Sequence, residues 1–239
     1  MTYSAGAAWM DGKVIPVSEA KISVFDWGLT RSDITYDVVH VWEGAFFRLE
    51  DYLDRFMVSM DKLRLDVGMT RAEIKAALVE LVATSGLKSA YVSMVASRGT
   101  PQVPGTRDPR ACTNHFYAWA VPFIWVIPQE VAQRGAHISV EENLRRIPPH
   151  SVDPTVKNYH WGDMTAALFN ALDAPACANR ATPCRHHRDH PAASAAAQRN
   201  RPQCKRNPAH SAESPPPWQH ETTDDHRRST VCVGLDACV

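Results

Sequence analysis

The stretch Ser151-Val-Asp-Pro-Thr-Val-Lys157-Asn-Tyr-His-Trp-Gly-Asp163 surrounds one lysine with residues that a solvated surface lysine does not need. A lysine amine has an unperturbed pKa of about 10.4. It therefore attacks a carbonyl near neutral pH only when it is desolvated or lies beside another cation. Tyr159 and Trp161 supply bulk for such shielding, and the closing Gly-Asp pair predicts a helix that runs to about residue 172. The two interpretations are an imine-forming lysine and an ordinary solvated one.

Two dipeptides upstream of this stretch predict β-hairpins. Residues 8–15 alternate about Asp11-Gly12, and residues 38–42 and 45–47 flank Glu43-Gly44. Both turn positions of a two-residue hairpin loop have positive φ, which glycine adopts readily. The chain therefore begins with strands.

Helical periodicity follows these hairpins. Apolar residues at helical spacing predict an amphipathic helix over residues 49–63 and a second over 71–85, with Gly86 as its stop. Apolar runs at 90–96 and 115–121 predict buried strands, and 136–140 predicts a further strand. Strands that bracket two helices predict a compact α/β domain.

The composition changes abruptly near Asp173. Residues 174–239 contain no Ile, Met, Phe or Tyr and a single Leu, yet they hold eight of the 17 prolines and five of the six cysteines. A segment without large apolar residues cannot offset the entropy of ordering itself. We therefore expect four parts: an α/β domain (1–121), a linker (122–128), the start of a second domain (129–173) and a disordered tail (174–239).

Charge and cysteine content exclude several classes of function. The 26 basic and 26 acidic residues balance, so no nucleic-acid footprint is indicated. No window approaches 18 apolar residues and the N-terminus lacks a signal pattern, so we expect neither secretion nor a membrane span. Cys112 is the single cysteine before residue 174, which favours a reducing compartment, and we expect a cytoplasmic protein.

Four segments, taken together, carry a family resemblance. They are Gly6-Ala-Ala-Trp-Met-Asp-Gly12, Ile22-Ser-Val-Phe-Asp-Trp-Gly28, residues 32–51 and residues 153–163. In this order and spacing they resemble the class IV aminotransferases, the fold type IV pyridoxal phosphate enzymes. This group includes branched-chain, D-amino acid and (R)-selective amine transaminases. The resemblance covers residues 6–173 and does not extend to 174–239.

The resemblance implies an enzyme that moves an amino group between an amino acid or chiral amine and a 2-oxo acid. Lys157 matches the lysine that holds pyridoxal 5′-phosphate as an imine and then shuttles a proton. Arg55 matches the arginine that binds the cofactor phosphate. The alternative for Arg55 is an exposed helix arginine paired with Asp51, whereas Arg48 is expected to be solvated. Family enzymes are homodimers with the active site at the subunit interface.

The resemblance also implies substrate-binding residues. Tyr36 and Val38 match positions that line the pocket, and Tyr91 is a further candidate. Arg107 matches a loop arginine that meets a substrate carboxylate. For each of these residues a plain structural role is the alternative, and the neighbouring His40 is expected to be an ordinary strand histidine. Arg31 replaces a histidine that is frequent in amine transaminases, so the amino donor stays open.

The largest departure from the family is an absence. The family has a later glutamate that pairs with the pyridine nitrogen and a Gly-Ile/Val-Thr-Arg-like segment that cradles the phosphate, and neither occurs after Asp173. We therefore expect a truncated second domain. We expect the tail after it to come from a frame-shifted or misassembled reading of the gene. Alternatives are a catalytically dead fragment or zinc binding by the tail. The tail residues considered for zinc are Cys184, His186, His187, His190 and Cys204, whose spacing fits no metal site, so no metal is expected.

Overall fold

The computed structural model describes residues 5–135, 138–141, 144–173 and 231–234. The strands are β1 (Ala7–Met10), β2 (Lys13–Pro16), β3 (Ile34–Trp42), β4 (Ala45–Phe46), β5 (Ala90–Pro101), β6 (Cys112–Pro122), β7 (Ile138–Glu141) and β8 (Val231–Gly234). The helices are α1 (Trp27–Arg31), α2 (Leu49–Lys62), α3 (Arg71–Ser85), α4 (Gln129–Arg134) and α5 (Gly162–Asp173). The fold is mixed α and β, as the sequence predicts.

Both predicted hairpins form at their expected turns. Asp11 and Gly12 have φ values of 52° and 79° between β1 and β2, and Glu43 and Gly44 have φ values of 48° and 82° between β3 and β4. A pair of positive φ values matches the right-handed twist of the flanking strands. The register of each hairpin is therefore set by its turn residues.

Six strands form one antiparallel sheet in the order β2-β1-β6-β5-β3-β4. β3 pairs with β5 along most of its length, whereas β4 pairs only with Val41 and Trp42 at the end of β3. Most of β3 therefore lies at the edge of the sheet among the described strands. This open edge is where the segment carrying Lys157 lies.

Helices α2 and α3 cover one face of the sheet and bury the main core. Leu53 and Phe56 of α2, and Ile74 and Leu78 of α3, are fully buried against strand residues such as Val92. A capping box formed by Thr70 and Glu73 begins α3, and Gly86 ends it in the left-handed conformation. Both predicted helices are confirmed to within a residue.

The opposite face of the sheet carries a smaller cluster. Side chains alternate between the two faces of a strand. Ile34, Tyr36, Val38, Val95 and Tyr117 consequently pack together on the side away from α2 and α3. This second face holds the aromatic residues of the candidate site.

Other elements were not predicted or differ in extent. β5 and β6 extend beyond the predicted 90–96 and 115–121, because a bulge between Ser97 and Thr100 lets the pairing continue. Gly99 has φ 73° in this bulge, and a Cβ there would lie 1.8 Å from the carbonyl oxygen of Thr113. The five-residue helix α1 and the six-residue helix α4 are too short to show helical periodicity.

The predictions for residues 174–239 mostly lie outside the described residues, including the zinc alternative. The exception is β8, whose backbone pairs antiparallel with β7 from Ile138↔Gly234 to Glu141↔Val231. The tail composition gave no signal for this strand. Within the described ranges, every helix is too short or too polar to cross a bilayer.

Candidate active site

The backbone of Lys157 is fixed to the open edge of β3. Its carbonyl oxygen accepts a hydrogen bond from Thr35 Oγ1 at 2.7 Å and one from the Tyr36 N–H at 3.3 Å. The preceding Val156 is buried, which seats the segment in the protein. The lysine that dominates the sequence analysis therefore lies on the first sheet, although it is 122 residues away from Thr35 in the chain.

The side chain of Lys157 is half-buried and therefore partly desolvated. Its Nζ lies 4.6 Å from the centroid of the Tyr36 ring, within the range of a cation–π contact. Burial lowers the pKa of Lys157, the Asp37 carboxylate opposes this by raising it, and the Arg55 guanidinium lowers it further. Because burial is the largest of the three causes, the amine loses its proton more readily than an exposed lysine does.

Arg55 forms a bidentate ion pair across the helix–sheet interface. Its Nε and Nη2 each donate to a carboxylate oxygen of Asp37 at 2.7 Å. The Asp37 side chain is 1% exposed, whereas that of Arg55 is 52% exposed. The guanidinium is thus anchored on its buried side and open to solvent on the other. The alternative pairing of Arg55 with Asp51 is wrong, because Asp51 accepts from Arg48 instead.

Tyrosines border the lysine. The rings of Tyr36 and Tyr159 are 4.6 Å apart. Burial raises the pKa of Tyr36 and that of Tyr117, and raises the pKa of Tyr159 to about 12. All three phenols therefore stay protonated at neutral pH and can donate a hydrogen bond to a ligand.

A second set of contacts holds the loop that precedes Lys157. Lys62, at the end of α2, donates to Asp153 Oδ2 at 2.9 Å and also to Thr155 Oγ1. Asp153 further accepts the Thr155 N–H at 2.8 Å. Since Arg55 and Lys62 are seven residues apart on α2, one helix face bears both the guanidinium and the loop anchor.

The structure places the remaining predicted residues in two groups. Val38 packs against Tyr36 in the second-face cluster. Tyr91 on β5 stacks on Trp119 at 5.3 Å and acts electrostatically on Tyr36 and Tyr159. Lys157, Arg55, Tyr36, Val38 and Tyr91 are therefore brought to one region of the sheet.

Arg107 belongs to the other group. It lies exposed in the loop between β5 and β6, and no described residue links it to Lys157 by a hydrogen bond or ring contact. Arg31 is likewise occupied elsewhere, with its guanidinium 3.2 Å from the centre of the Trp27 ring. His40 stacks on Phe47 at 4.9 Å, in line with an ordinary strand histidine.

Sequence reasoning missed Asp37 and Thr35, which hold Arg55 and Lys157 in place. One signal was available for Asp37: it lies in the row of β3 that faces the helices, where Val39 and Val41 are apolar. A charged residue in an apolar row requires a buried partner. Its partner, 18 residues away, is visible only once α2 is packed on the sheet.

A cavity of about 760 Å³ lies apart from these residues, between the end of α2 and the loop before β6. Arg98 lines it and is buried, but donates to Asp33 and to the carbonyl oxygens of Leu63 and Arg64. Its guanidinium therefore joins structural elements and leaves little for a ligand. The cavity contains none of the predicted site residues.

The family follows from a match over the region just described. The model of the Amino-transferase class IV family matches residues 35–176, more than half of the chain. The chain belongs to this family. Helix α2, the Lys157 segment and β3 from its second residue onward lie within the matched residues, so the candidate site is built from family sequence.

Curated relatives are similar over part of their length. A Methanocaldococcus jannaschii protein provisionally named branched-chain-amino-acid aminotransferase is 27% identical over 164 residues, covering 68% of this chain and 54% of the relative. A D-alanine aminotransferase of Staphylococcus haemolyticus is 28% identical over 91 residues, covering 38% and 32%. The match thus spans 54% of the length of the first relative and 32% of that of the second.

Solved structures show the same fold. A branched-chain amino acid aminotransferase of T.th., complexed with N-(5′-phosphopyridoxyl)-L-glutamate, matches with a TM-score of 0.60 and 22% identity, covering 73% of this chain and 58% of that one. The Thermoproteus uzoniensis branched-chain aminotransferase with norvaline has a TM-score of 0.55 and 24% identity, covering 72% and 56%. The fold class is therefore that of class IV aminotransferases.

Proposed function

We propose that this chain carries the site of a pyridoxal phosphate-dependent aminotransferase, which moves an amino group between an amino acid or chiral amine and a 2-oxo acid. The observation that carries the proposal is the half-buried Lys157 amine, whose pKa is lowered, beside the Asp37–Arg55 pair. A lysine with a lowered pKa is a nucleophile for aldehydes. A guanidinium with one open side is a partner for a phosphate.

The residues present fit one side of the cofactor. Lys157 offers the amine for the cofactor aldehyde, and Arg55 retains its Nη1 group for the phosphate, because Asp37 engages only Nε and Nη2. Pyridoxal phosphate, when bound, supplies the electron sink that stabilises a carbanion at the substrate carbon. The described residues include no segment like the family glutamate that meets the pyridine nitrogen. We therefore propose that the described residues supply one side of the cofactor site.

The other steps of the reaction are assigned to individual residues of the chain. Lys157 holds the cofactor and moves the proton to and from the substrate carbon, since its amine is free once substrate has displaced it. The Tyr36 hydroxyl donates a hydrogen bond near the amino group, while Val38 and Tyr91 shape the pocket. Arg107 is assigned to the substrate carboxylate through movement of its exposed loop. Branched-chain amino acids, D-amino acids and chiral amines remain candidate donors.

The proposal includes a cytoplasmic homodimer with no nucleic-acid or membrane partner. Several large apolar side chains are exposed: Trp42 and Trp125, whose rings are 6.1 Å apart, and also Phe47, Trp161 and Phe169. Each of these side chains is about half exposed or more. Exposed apolar patches of this kind commonly mark protein interfaces, which supports association with a second copy.

Spectroscopic titration with pyridoxal phosphate tests the proposed site. We expect an absorption band at about 400–430 nm when the full chain captures the cofactor, and loss of this band in Lys157→Ala. Borohydride reduction followed by peptide mass spectrometry should place the adduct on Lys157. Transfer of the amino group is then measured with the candidate donors and a 2-oxo acid.

Lys88→Ala is the matched control, because Lys88 is also a lysine but is exposed on the loop before β5. It should retain the band and the Lys157 adduct. A folded protein that gives no band, or an adduct spread over several lysines, would identify a fragment unable to capture the cofactor. A band without amino transfer would indicate that the chain captures the cofactor but lacks the contacts that turnover needs.

A further inference from the structure

Asp37 is a buried carboxylate on a strand of the sheet. Its side chain is 1% exposed, and it lies in the β3 row that also holds the buried residues Thr35, Val39 and Val41. A buried carboxylate is costly unless charges and hydrogen bonds compensate it. Here the Val38 N–H donates to Asp37 Oδ1 at 2.7 Å, and Arg55 supplies two further hydrogen bonds.

The Asp37–Arg55 pair fixes the plane of the guanidinium. Two parallel N–H···O bonds allow one relative orientation, whereas a single bond would let the group rotate. The Tyr52 ring, with its centroid 5.2 Å from the guanidinium carbon, borders Arg55 on α2. The open Nη1 side is therefore presented in a constant direction before any anion arrives, which reduces the ordering cost of binding.

Lys157 is tied to the same strand as Asp37. Thr35 and Tyr36, the two residues before Asp37, hold the Lys157 carbonyl oxygen. The charged and titratable groups that act on its ammonium are Asp37 of β3, which favours the charged form, and Arg55 of α2, which disfavours it. The neutral phenol of Tyr36 lies beneath the ammonium.

We propose that Asp37 is a positioning residue of this site: its carboxylate orients the Arg55 guanidinium and offsets the positive charge of Arg55 beside the Lys157 ammonium. The inference rests on the proposed function for its use in cofactor capture. Asp37 itself is placed beneath the site and does not contact the reacting atoms. It acts through Arg55 and Lys157.

Competitive labelling of the lysines tests the charge role without any cofactor. The full chain is treated with trace acetic anhydride across a pH series, and mass spectrometry yields the labelling midpoint of each lysine. Asp37→Asn should shift the Lys157 midpoint to lower pH, because a raising influence is removed. Arg55→Gln should shift it to higher pH, and the double variant should return it toward the wild-type position.

The orientation role has a separate readout. The wild-type chain should bind pyridoxal phosphate several-fold more tightly than pyridoxal, which lacks the phosphate. This preference should fall in Asp37→Asn and nearly vanish in Arg55→Gln. Asp51→Asn is the matched control, because Asp51 is an exposed carboxylate paired with Arg48 near the start of α2. It should change neither the midpoint nor the preference.

The outcomes separate this inference from the proposed function. An unchanged Lys157 midpoint in folded Asp37→Asn, or an unchanged phosphate preference, would overturn the role of Asp37 even if the cofactor band forms. If the wild-type chain gives no cofactor band but the labelling midpoints of Lys157 shift as expected, the proposed function alone would be overturned. If Asp37→Asn does not fold, wild type and Arg55→Gln are compared with the double variant. The double variant removes both charges of the pair, so it leaves no buried charge unpaired.

Discussion

The sheet region, residues 5–122, and the lysine-bearing region, residues 144–173, are held together in different ways. The sheet region buries a continuous apolar core that includes Leu53, Phe56 and Leu78. In the lysine-bearing region Val156, Ala167 and Ala171 are the buried apolar residues among those described. The lysine-bearing region depends instead on a few polar contacts with the sheet. Its position is therefore more sensitive to single hydrogen bonds than to single methyl groups.

This difference shows where the surroundings of Lys157 come from. The groups that hold the Lys157 backbone, Thr35 and Tyr36, come from β3, and the groups around its ammonium come from β3 and α2. The sheet region thus supplies most of the described surroundings of the lysine. What it cannot supply is the set of cofactor contacts that the family places later in the second domain.

The largest effect should come from the core of the sheet region. Phe56→Ala removes a fully buried ring that meets Phe116 edge-on, and we expect a loss of about 3–5 kcal/mol in the free energy of unfolding. Urea denaturation followed by circular dichroism measures it. Val58→Ala, on the exposed side of the same helix, should change stability by less than about 0.5 kcal/mol. A small loss of unfolding free energy in Phe56→Ala would contradict the contrast between a sheet region held by its apolar core and a lysine-bearing region held by polar contacts.

A smaller and more local effect should come from Thr35→Val, which keeps the shape of a buried residue but removes its hydrogen bond to the Lys157 carbonyl oxygen. Such a bond contributes about 0.5–1.5 kcal/mol, so cofactor capture should weaken by about two- to tenfold, with little change in the urea midpoint. Absorbance titration measures it. Thr35→Ser should restore capture, and Thr30→Val, which removes a similar bond to Asp26, should leave it unaltered. Equal loss in both valine variants would contradict the anchoring role of Thr35.

The smallest effect concerns the exposed loop anchor. The pKa of Asp153 is lowered from 3.8 to about 2, first by its hydrogen bonds with Thr155 and then by Lys62. A lowered folded-state pKa means that this contact is at full strength above about pH 3.8 and is lost as the pH falls through about 2. Carboxyl-carbon NMR should show a midpoint near 2, raised by Lys62→Ala and raised more by Thr155→Val. Lys75→Ala, another exposed ion-paired lysine, should not move it.

Local sequence signals were enough for most elements of the sheet region. Turn residues such as Asp11-Gly12 fix two hairpins, and helical spacing with Gly86 as a stop fixes α3, because these elements are decided by residues close in the chain. The lysine-bearing region was recognised through family resemblance, and only its helix α5 followed from local pattern. Short elements such as α1 escaped, since five residues carry no period.

The candidate site shows the limit of such reasoning. Arg55 and Lys157 are recognisable as motif residues, but their partners Asp37 and Thr35 are separated from them by 18 and 122 residues. Those partners become evident only when α2 packs on the sheet and the second region returns to its edge. Arg107 illustrates the converse, because it matches a motif position yet lies exposed in a loop, with no hydrogen bond or ring contact that links it to Lys157 among the described residues.

The open edge of β3 has a consequence for solubility. Unpaired N–H groups along a sheet edge are a template on which another chain can add a strand, which begins aggregation. In this protein the Tyr36 N–H donates to the Lys157 carbonyl oxygen and the Val38 N–H donates to its neighbour Asp37. The contacts that assemble the site thereby occupy the edge that would otherwise recruit further chains. A chain cut before Val152 would lose one of these protections and should self-associate into intermolecular sheets more readily than the full chain.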